Sequence, residues 1–322
     1  MTDAPASAGE RGRDAERPSE IPVRGWRDIA GRVRHRIGKD RLSLVAAGVA
    51  FYAVLATFPA LMALLALYGM AFDPAGIPGR LATLKGDLSP EALHLLVALL
   101  QGLADDRTHR LGLSLGGGVL LALWGASLGI RTLMQALNVA YDEEEKRSFA
   151  IRTGLALLIT AGAMTVAAIL VGAVVVAPAA MQIVEFGGLS RQAMVYARWP
   201  LVVVLFWASL LVMYRYGPSR RHARWSWVSW GAFLATALWL VGSLLLSMYV
   251  NGFGRYDKAY GAVGLVLIVL VWYLLSAFAV LIGAELNAEL ERQTRVDTTV
   301  GSDKPIGQRG ASAADTVGEA GR

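Results

Sequence analysis

Six long apolar stretches, separated by shorter polar segments, set the pattern of this chain. The last of them, 261–284, holds no charged residue between Gly261 and Ala284. It is long enough to cross a bilayer core of about 30 Å, which takes about 20 apolar helical residues. Tyr256, Asp257, Lys258 and Tyr260 precede it, and Glu285, Asn287, Glu289, Glu291 and Arg292 follow it. Glu285 and Glu289 are four apart, so they share one face of the helix as it leaves the lipid.

The first stretch, 42–72, would run about 46 Å as a helix, too long for a straight perpendicular crossing. Pro59 near its middle removes a backbone donor and predicts a kink, with Thr57 or a neighbouring helix compensating. The second, 111–140, carries two GxxxG pairs, Gly112/Gly116 and Gly125/Gly129, suited to close helix packing. Arg131, Gln135 and Asn138 continue it at i, i+4 and i+7, a polar stripe predicted to emerge at the interface. Two readings of that stripe stand side by side. One is a phosphate or gating contact at Arg131; the other is snorkelling and hydrogen bonding within the bundle. The remaining spans are 153–181, 199–216 (opening on Trp199-Pro200) and 227–250.

Between the first two spans, Ser89-Pro90-Glu91 is a helix-start signal, and Leu93, Leu96, Val97, Leu100 and Leu103 recur at helical spacing. That run is too short to span and predicts a surface or re-entrant helix. Ahead of the first span, Trp26, Ile29, Val33 and Ile37 share a helical face, with Arg27, Arg32, Arg34 and Arg36 mostly elsewhere. This describes either an amphipathic helix on an anionic surface or a plain basic flank. Residues 1–24 and 293–322 lack apolar periodicity and are expected to be disordered tails around a transmembrane domain at 25–292. No short apolar core followed by a small-residue cleavage site occurs, so no cleavable signal peptide is expected.

Composition agrees with lipid as the main solvent. Of 322 residues, 55% are hydrophobic and 17% charged, against about 25% charged in soluble domains. Cysteine is absent, which excludes disulfides, thiolate metal sites and cysteine nucleophiles. The pI near 9.7 reads as basic loops meeting anionic lipid rather than as nucleic-acid binding. Lysine plus arginine number seven in residues 24–41, three in 141–152 and four in 214–225. The alternate segments 73–110, 182–198 and 251–259 hold four, two and two. The positive-inside rule then places both termini in the cytoplasm. The fold class expected is all-α: a polytopic membrane protein with six transmembrane helices and amphipathic surface helices.

Chemistry is sparse. His35, His94, His109 and His222 never pair at the i, i+4 spacing of a helical metal site. The acidic run Asp142 to Glu145 reads as a solvated loop rather than a cation site. No nucleophile elbow, phosphate loop or dinucleotide fingerprint stands in a credible context. No catalytic, metal or cofactor residues are therefore expected, and the chain is read as no enzyme. No span has an Asp, Glu, Lys or His near its middle, which argues against proton-coupled transport of a polar solute.

The stretches AAGVAFYAVLATFPALMAL (46–64), LWGASLGIRTLMQALNVAYDEEEKRSF (123–149) and YGAVGLVLIVLVWYLLSAFAVLIGAELNAEL (260–290) resemble the YihY/virulence factor BrkB family. The resemblance covers about residues 25–292 and implies a bacterial inner-membrane protein with six helices. It also implies a link to envelope integrity and lipid export; some members once carried the mistaken label ribonuclease BN. Where that family leads one to expect a proline, Trp230-Gly231-Ala232 opens the fifth span. The leading expectation is transport or flipping of an amphipathic envelope lipid. Its candidate substrate or gating residues are Arg131, Gln135, Asn138, Glu285 and Asn287 on the inner side, and Tyr256, Asp257 and Tyr260 on the outer. The expected partners are membrane lipids, anionic ones included, and a second copy of the chain or an envelope protein; nucleic acid is not expected. A non-transporting envelope scaffold is the alternative, and a membrane-bound ribonuclease a remote one.

Overall fold

The computed structural model describes residues 9–71, 113–171, 188–252 and 256–319. Within a stretch such as Leu42–Ala71, which has no charge, amides facing lipid have no water to bond and must satisfy one another along the helix. The described residues accordingly form long helices: α1 (Val23–Lys39), α2 (Leu42–Ala71), α3 (Leu113–Ala140), α4 (Phe149–Val171), α5 (Gly188–Tyr216), α6 (Trp225–Gly252), α7 (Tyr256–Glu291) and the short α8 (Ser312–Asp315). Six of them, α2 to α7, are long and apolar enough to cross a membrane. No strand occurs among the described residues; Ala223 and Thr299 form a single isolated bridge. Phe51, Leu120, Leu121, Leu158, Leu244, Met248 and Val266 are all more than half exposed, the outward apolar rows that a bilayer covers.

The expected helix at 89–103 lies outside the described residues, as do Gly112 and the end of the third span beyond Val171. Pro200 does not open α5, which starts at Gly188 and carries the proline in its interior. A proline at a helix start and one inside a membrane helix look alike in sequence, because each only forfeits one donor.

Contacts divide the chain into two compact units. The first comprises 1–52, 131–152 and 206–322; the second comprises 53–130 and 153–205. In the second, Pro59 lies inside α2, where the Thr57 hydroxyl donates to the Ala53 carbonyl at 2.8 Å. The proline ring sits against Gly125 of α3, where a Cβ would come within 2.9 Å of it. Gly125 thus serves a contact inside this chain, and a side chain there probes that contact rather than association with a partner.

In the first unit, α6 and α7 pack with small residues between them. Ala232, Ala235, Ala284 and Ala288 are fully buried. Asn287 of α7 accepts the Gly231 N–H at 2.8 Å and donates to the Val228 carbonyl at 3.2 Å. Tyr214 of α5 donates to the Val280 carbonyl at 2.7 Å. Helix α1 spends its apolar face on the protein: Ile29 and Val33 are buried, and Trp26 meets Trp230 of α6 at 5.3 Å between ring centroids. The Trp230 that replaces the expected proline therefore anchors α1, and α6 continues through it as regular helix.

The described parts of both tails differ from the expected disorder. Gln293, Thr294, Thr298 and Thr299 are buried. Arg13 donates to the carbonyls of Arg292, Gln293 and Gly318. Arg309 donates to the carbonyls of Arg295, Val296, Lys304 and Ala314. Composition argues for disorder because these segments have little apolar area to bury. Guanidinium-to-carbonyl bonds, each charge-assisted, supply the missing stabilisation.

Candidate functional site: an arginine–carboxylate cluster beside a basic cavity

Helix α7 passes from apolar to charged residues at Glu285, and the first unit closes around that transition. Glu289 is 1% exposed and takes the Arg32 Nε at 2.5 Å and Arg292 Nη1 at 2.6 Å. Asp142 takes Arg36 Nη2 and Arg292 Nη2, each at 2.7 Å. Asp142 stands just past the end of α3 with φ 53°, the left-handed region that aspartate tolerates better than most residues. Arg292 also reaches the Thr316 hydroxyl at 3.3 Å. Burial opposes the Arg36 charge, but Asp142, Asp40 and Glu289 outweigh it and hold the guanidinium above its ordinary range. Glu285 is fully buried, and neither of its carboxylate oxygens has a hydrogen-bond partner among the described residues.

A second pair lies beside the first. Arg220 and Glu291 meet at 2.6 Å with side chains 2% and 0% exposed. The Thr298 hydroxyl donates to the same carboxylate oxygen at 2.7 Å, and the Arg220 guanidinium lies 4.9 Å over the Tyr141 ring. The chain after α3 is pinned too: Glu145 holds Arg147 through both its oxygens at 2.7 and 2.8 Å, and Arg147 bonds the Tyr216 and Gly217 carbonyls. Glu143 accepts the Ser312 N–H at 2.6 Å. The acidic run is thus not a simple solvated loop, since Asp142, Glu143 and Glu145 each hold a partner in the fold.

The Arg147 bonds, chiefly, pull the Glu145 carboxyl down to about 2. Its folded value lies below the unfolded one, so this contribution is present above about pH 4.5 and is lost as pH falls towards about 2. Glu145→Gln is expected to destabilise the fold at neutral pH by about 1.5–3 kcal/mol, the usual range for a hydrogen bond to a charged group. It should also flatten the acid limb of the thermal midpoint against pH, measured in detergent; an unchanged limb would refute the pairing.

Between α1, the end of α7 and the tail lies a cavity of about 920 Å³. Arg27, Arg32, His35, Arg36, Lys39 and Arg292 supply its basic lining, and Thr316 to Glu319 form a wall. Of the residues singled out in the sequence, the five whose side chains are described, Arg131, Gln135, Asn138, Glu285 and Asn287, do not line it. Asn138 is buried and engaged at both amide atoms, accepting the Ser219 N–H at 2.8 Å and donating to Glu145 at 3.2 Å. Asn287 is used likewise between α6 and α7. Arg131 is half-buried and Gln135 exposed, so the stripe does not face one environment. Tyr256, Asp257 and Tyr260 belong to the α7 backbone, but their side chains lie outside the described residues. The cluster around Arg32, Arg36, Asp142 and Glu289 escaped sequence reasoning. The signal available was Asp28, Arg32, Arg36 and Asp40, four apart along one face of α1.

The family model for virulence factor BrkB matches residues 33–305. A Bacillus subtilis protein bearing the name ribonuclease-like protein YfkH is 29% identical over 257 residues, covering 78% of this chain and 90% of its own. A UPF0761 membrane protein of Vibrio parahaemolyticus is 28% identical over 266 residues, 80% of either chain. One from Rhodospirillum centenum is 26% identical over 284 residues, 87% of this chain and 61% of its own. No solved structure matches the chain.

Proposed function

This chain belongs to the virulence factor BrkB family, and on that premise we propose that it moves an amphipathic envelope lipid between the leaflets of a bacterial inner membrane. The supporting observation is α7, whose described length runs uncharged from Val266 to Ala284 and then enters the Glu285, Glu289 and Arg292 cluster. Such a helix offers acyl chains an apolar path and a headgroup a polar terminus. Both termini lie in the cytoplasm, on the argument of lysine and arginine density. Arg131 meets the headgroup on that side, and Tyr256, Asp257 and Tyr260 stand at the opposite end of α7.

A scaffold role draws less support, because Gly125 of the small-residue face is occupied by Pro59 of the same chain. The ribonuclease reading has only a relative's printed name behind it. Among the described residues no group of three or more His, Cys, Asp or Glu could hold a metal ion, and Asp142, Glu143 and Glu145 already have partners. We therefore read the chain as a transporter.

The test is lipid redistribution in reconstituted vesicles carrying several labelled anionic lipids. The expected result is transfer of one lipid faster than in empty vesicles, slowed by Arg131→Ala. Transfer no faster than in empty vesicles for every lipid would remove the reading.

A further inference from the structure

We propose that the cavity between α1, the end of α7 and residues 316–319 is a binding site for a phosphate-bearing anion. Helix α1 presents two neighbouring stripes. Asp28, Arg32, Arg36 and Asp40 form one, and its arginines are committed to Glu289 and Asp142. Arg27, Gly31, His35 and Lys39, also four apart, form the other, and all four line the cavity. Arg27, His35 and Lys39 are exposed, with no ion pair or hydrogen bond to any described residue. At Gly31 a Cβ would meet nothing within 4 Å. The Arg27 guanidinium and the His35 imidazole therefore flank a bare stretch of helix, with the Lys39 ammonium one turn further on, each about 6 Å along the axis from the next position of the stripe.

The acids of the lining are mostly spoken for. Asp28 pairs with Arg11 at 2.8 Å, and Asp142 and Glu289 with Arg292. The wall formed by the tail is held through neutral acceptors: Arg13 donates to the Gly318 carbonyl at 2.7 Å and Arg32 to the Glu319 carbonyl at 3.0 Å. A phosphate oxygen is a stronger acceptor for a guanidinium than a peptide carbonyl, and several oxygens on one group suit donors spread over successive turns. Glu319 is the acid of the lining that opposes an anion. The site rests on α1 and the tail and stands whether or not the chain moves lipid. The phosphate can belong to a lipid headgroup or to a soluble ligand.

The experiment uses the full chain in phosphatidylcholine nanodiscs, titrated with inorganic pyrophosphate, and a parallel set containing phosphatidic acid, with retained lipid read by native mass spectrometry. Gly31→Leu fills the bare stretch and keeps every charge; because its Cβ enters open space, its thermal midpoint should stay at or above that of the parent. Arg27→Gln with Lys39→Gln removes the free cations. Each variant is expected to weaken pyrophosphate binding, or retention of phosphatidic acid, by at least about tenfold. Glu319→Gln is expected to tighten it. Binding of pyrophosphate assigns the site to a soluble phosphate; retention of phosphatidic acid without pyrophosphate binding assigns it to a headgroup. The proposal is overturned if neither probe binds, or if Gly31→Leu binds like the parent, since loss in the charge variant alone marks diffuse attraction to a basic surface.

Discussion

Arg220→Met should lower the stability of the folded chain by about 3–5 kcal/mol, the cost of removing one partner from a buried ion pair. Arg220 and Glu291 have side chains 2% and 0% exposed and meet at 2.6 Å. Without the guanidinium, the Glu291 carboxylate keeps the Thr298 hydroxyl and little else; its other oxygen already has no partner among the described residues. Desolvation is then uncompensated. Burial works against the Arg220 charge, and Glu291 more than restores it, holding the guanidinium above its ordinary range. The double variant Arg220→Met with Glu291→Leu should recover most of the loss, because an apolar pair of similar volume is often no less stable than the ions it replaces. Thermal unfolding of all four proteins in one detergent closes the cycle. A single variant within about 1 kcal/mol of the parent would contradict a dry, coupled pair. Since Thr298 ties the tail to Glu291, Arg220→Met should also speed proteolysis within 293–319.

The six spans were legible because each meets its criterion alone: length, absence of charge and flanking polarity are local properties. Helix α1 was legible for the same reason, from Ile29 and Val33 at helical spacing. The sequence offered an amphipathic helix on an anionic surface or a plain basic flank, and neither reading placed that apolar face against protein, where Ile29 and Val33 are buried. The cluster was illegible because its pairs join distant parts of the chain: Arg32 to Glu289 and Arg292 to Asp142. A carboxylate run such as Asp142 to Glu145 looks solvated until the arginines that face it are placed. The tails were misread because composition weighs apolar area and not the carbonyls that Arg13 and Arg309 can gather. Asn138 and Asn287 were singled out as candidate substrate or gating residues on the inner side, and both side chains are buried. Geometry gives them a positioning role, since their amides lock neighbouring segments and leave little free to meet a ligand.

Gly231→Ala should be the most damaging single methyl in the described helices, despite a gain in helix propensity of up to about 1 kcal/mol. A Cβ at 231 runs into the Gly283 carbonyl and the Asn287 side chain. On the facing helix, a Cβ at Gly283 would lie 2.5 Å from the Gly231 carbonyl and 2.8 Å from Ala235 Cβ. Neither obstacle is the free end of a flexible side chain: one is backbone, and the other is an amide held by the Gly231 N–H and the Val228 carbonyl. Relief therefore requires α6 and α7 to separate. Separation costs overpacking of about 1–3 kcal/mol and leaves the Asn287 amide short of a buried partner, about 1–3 kcal/mol more. The net expectation is a loss of about 1–5 kcal/mol after the propensity gain. Gly242→Ala in the same helix supplies the control: its Cβ meets nothing within 4 Å, so it should be neutral or mildly stabilising. Both follow from thermal unfolding in detergent. Equal behaviour of the two alanines would mean that α6 and α7 do not touch at Gly231, and the end of α7 that carries Glu285 and Glu289 would then lose the wall holding it in place.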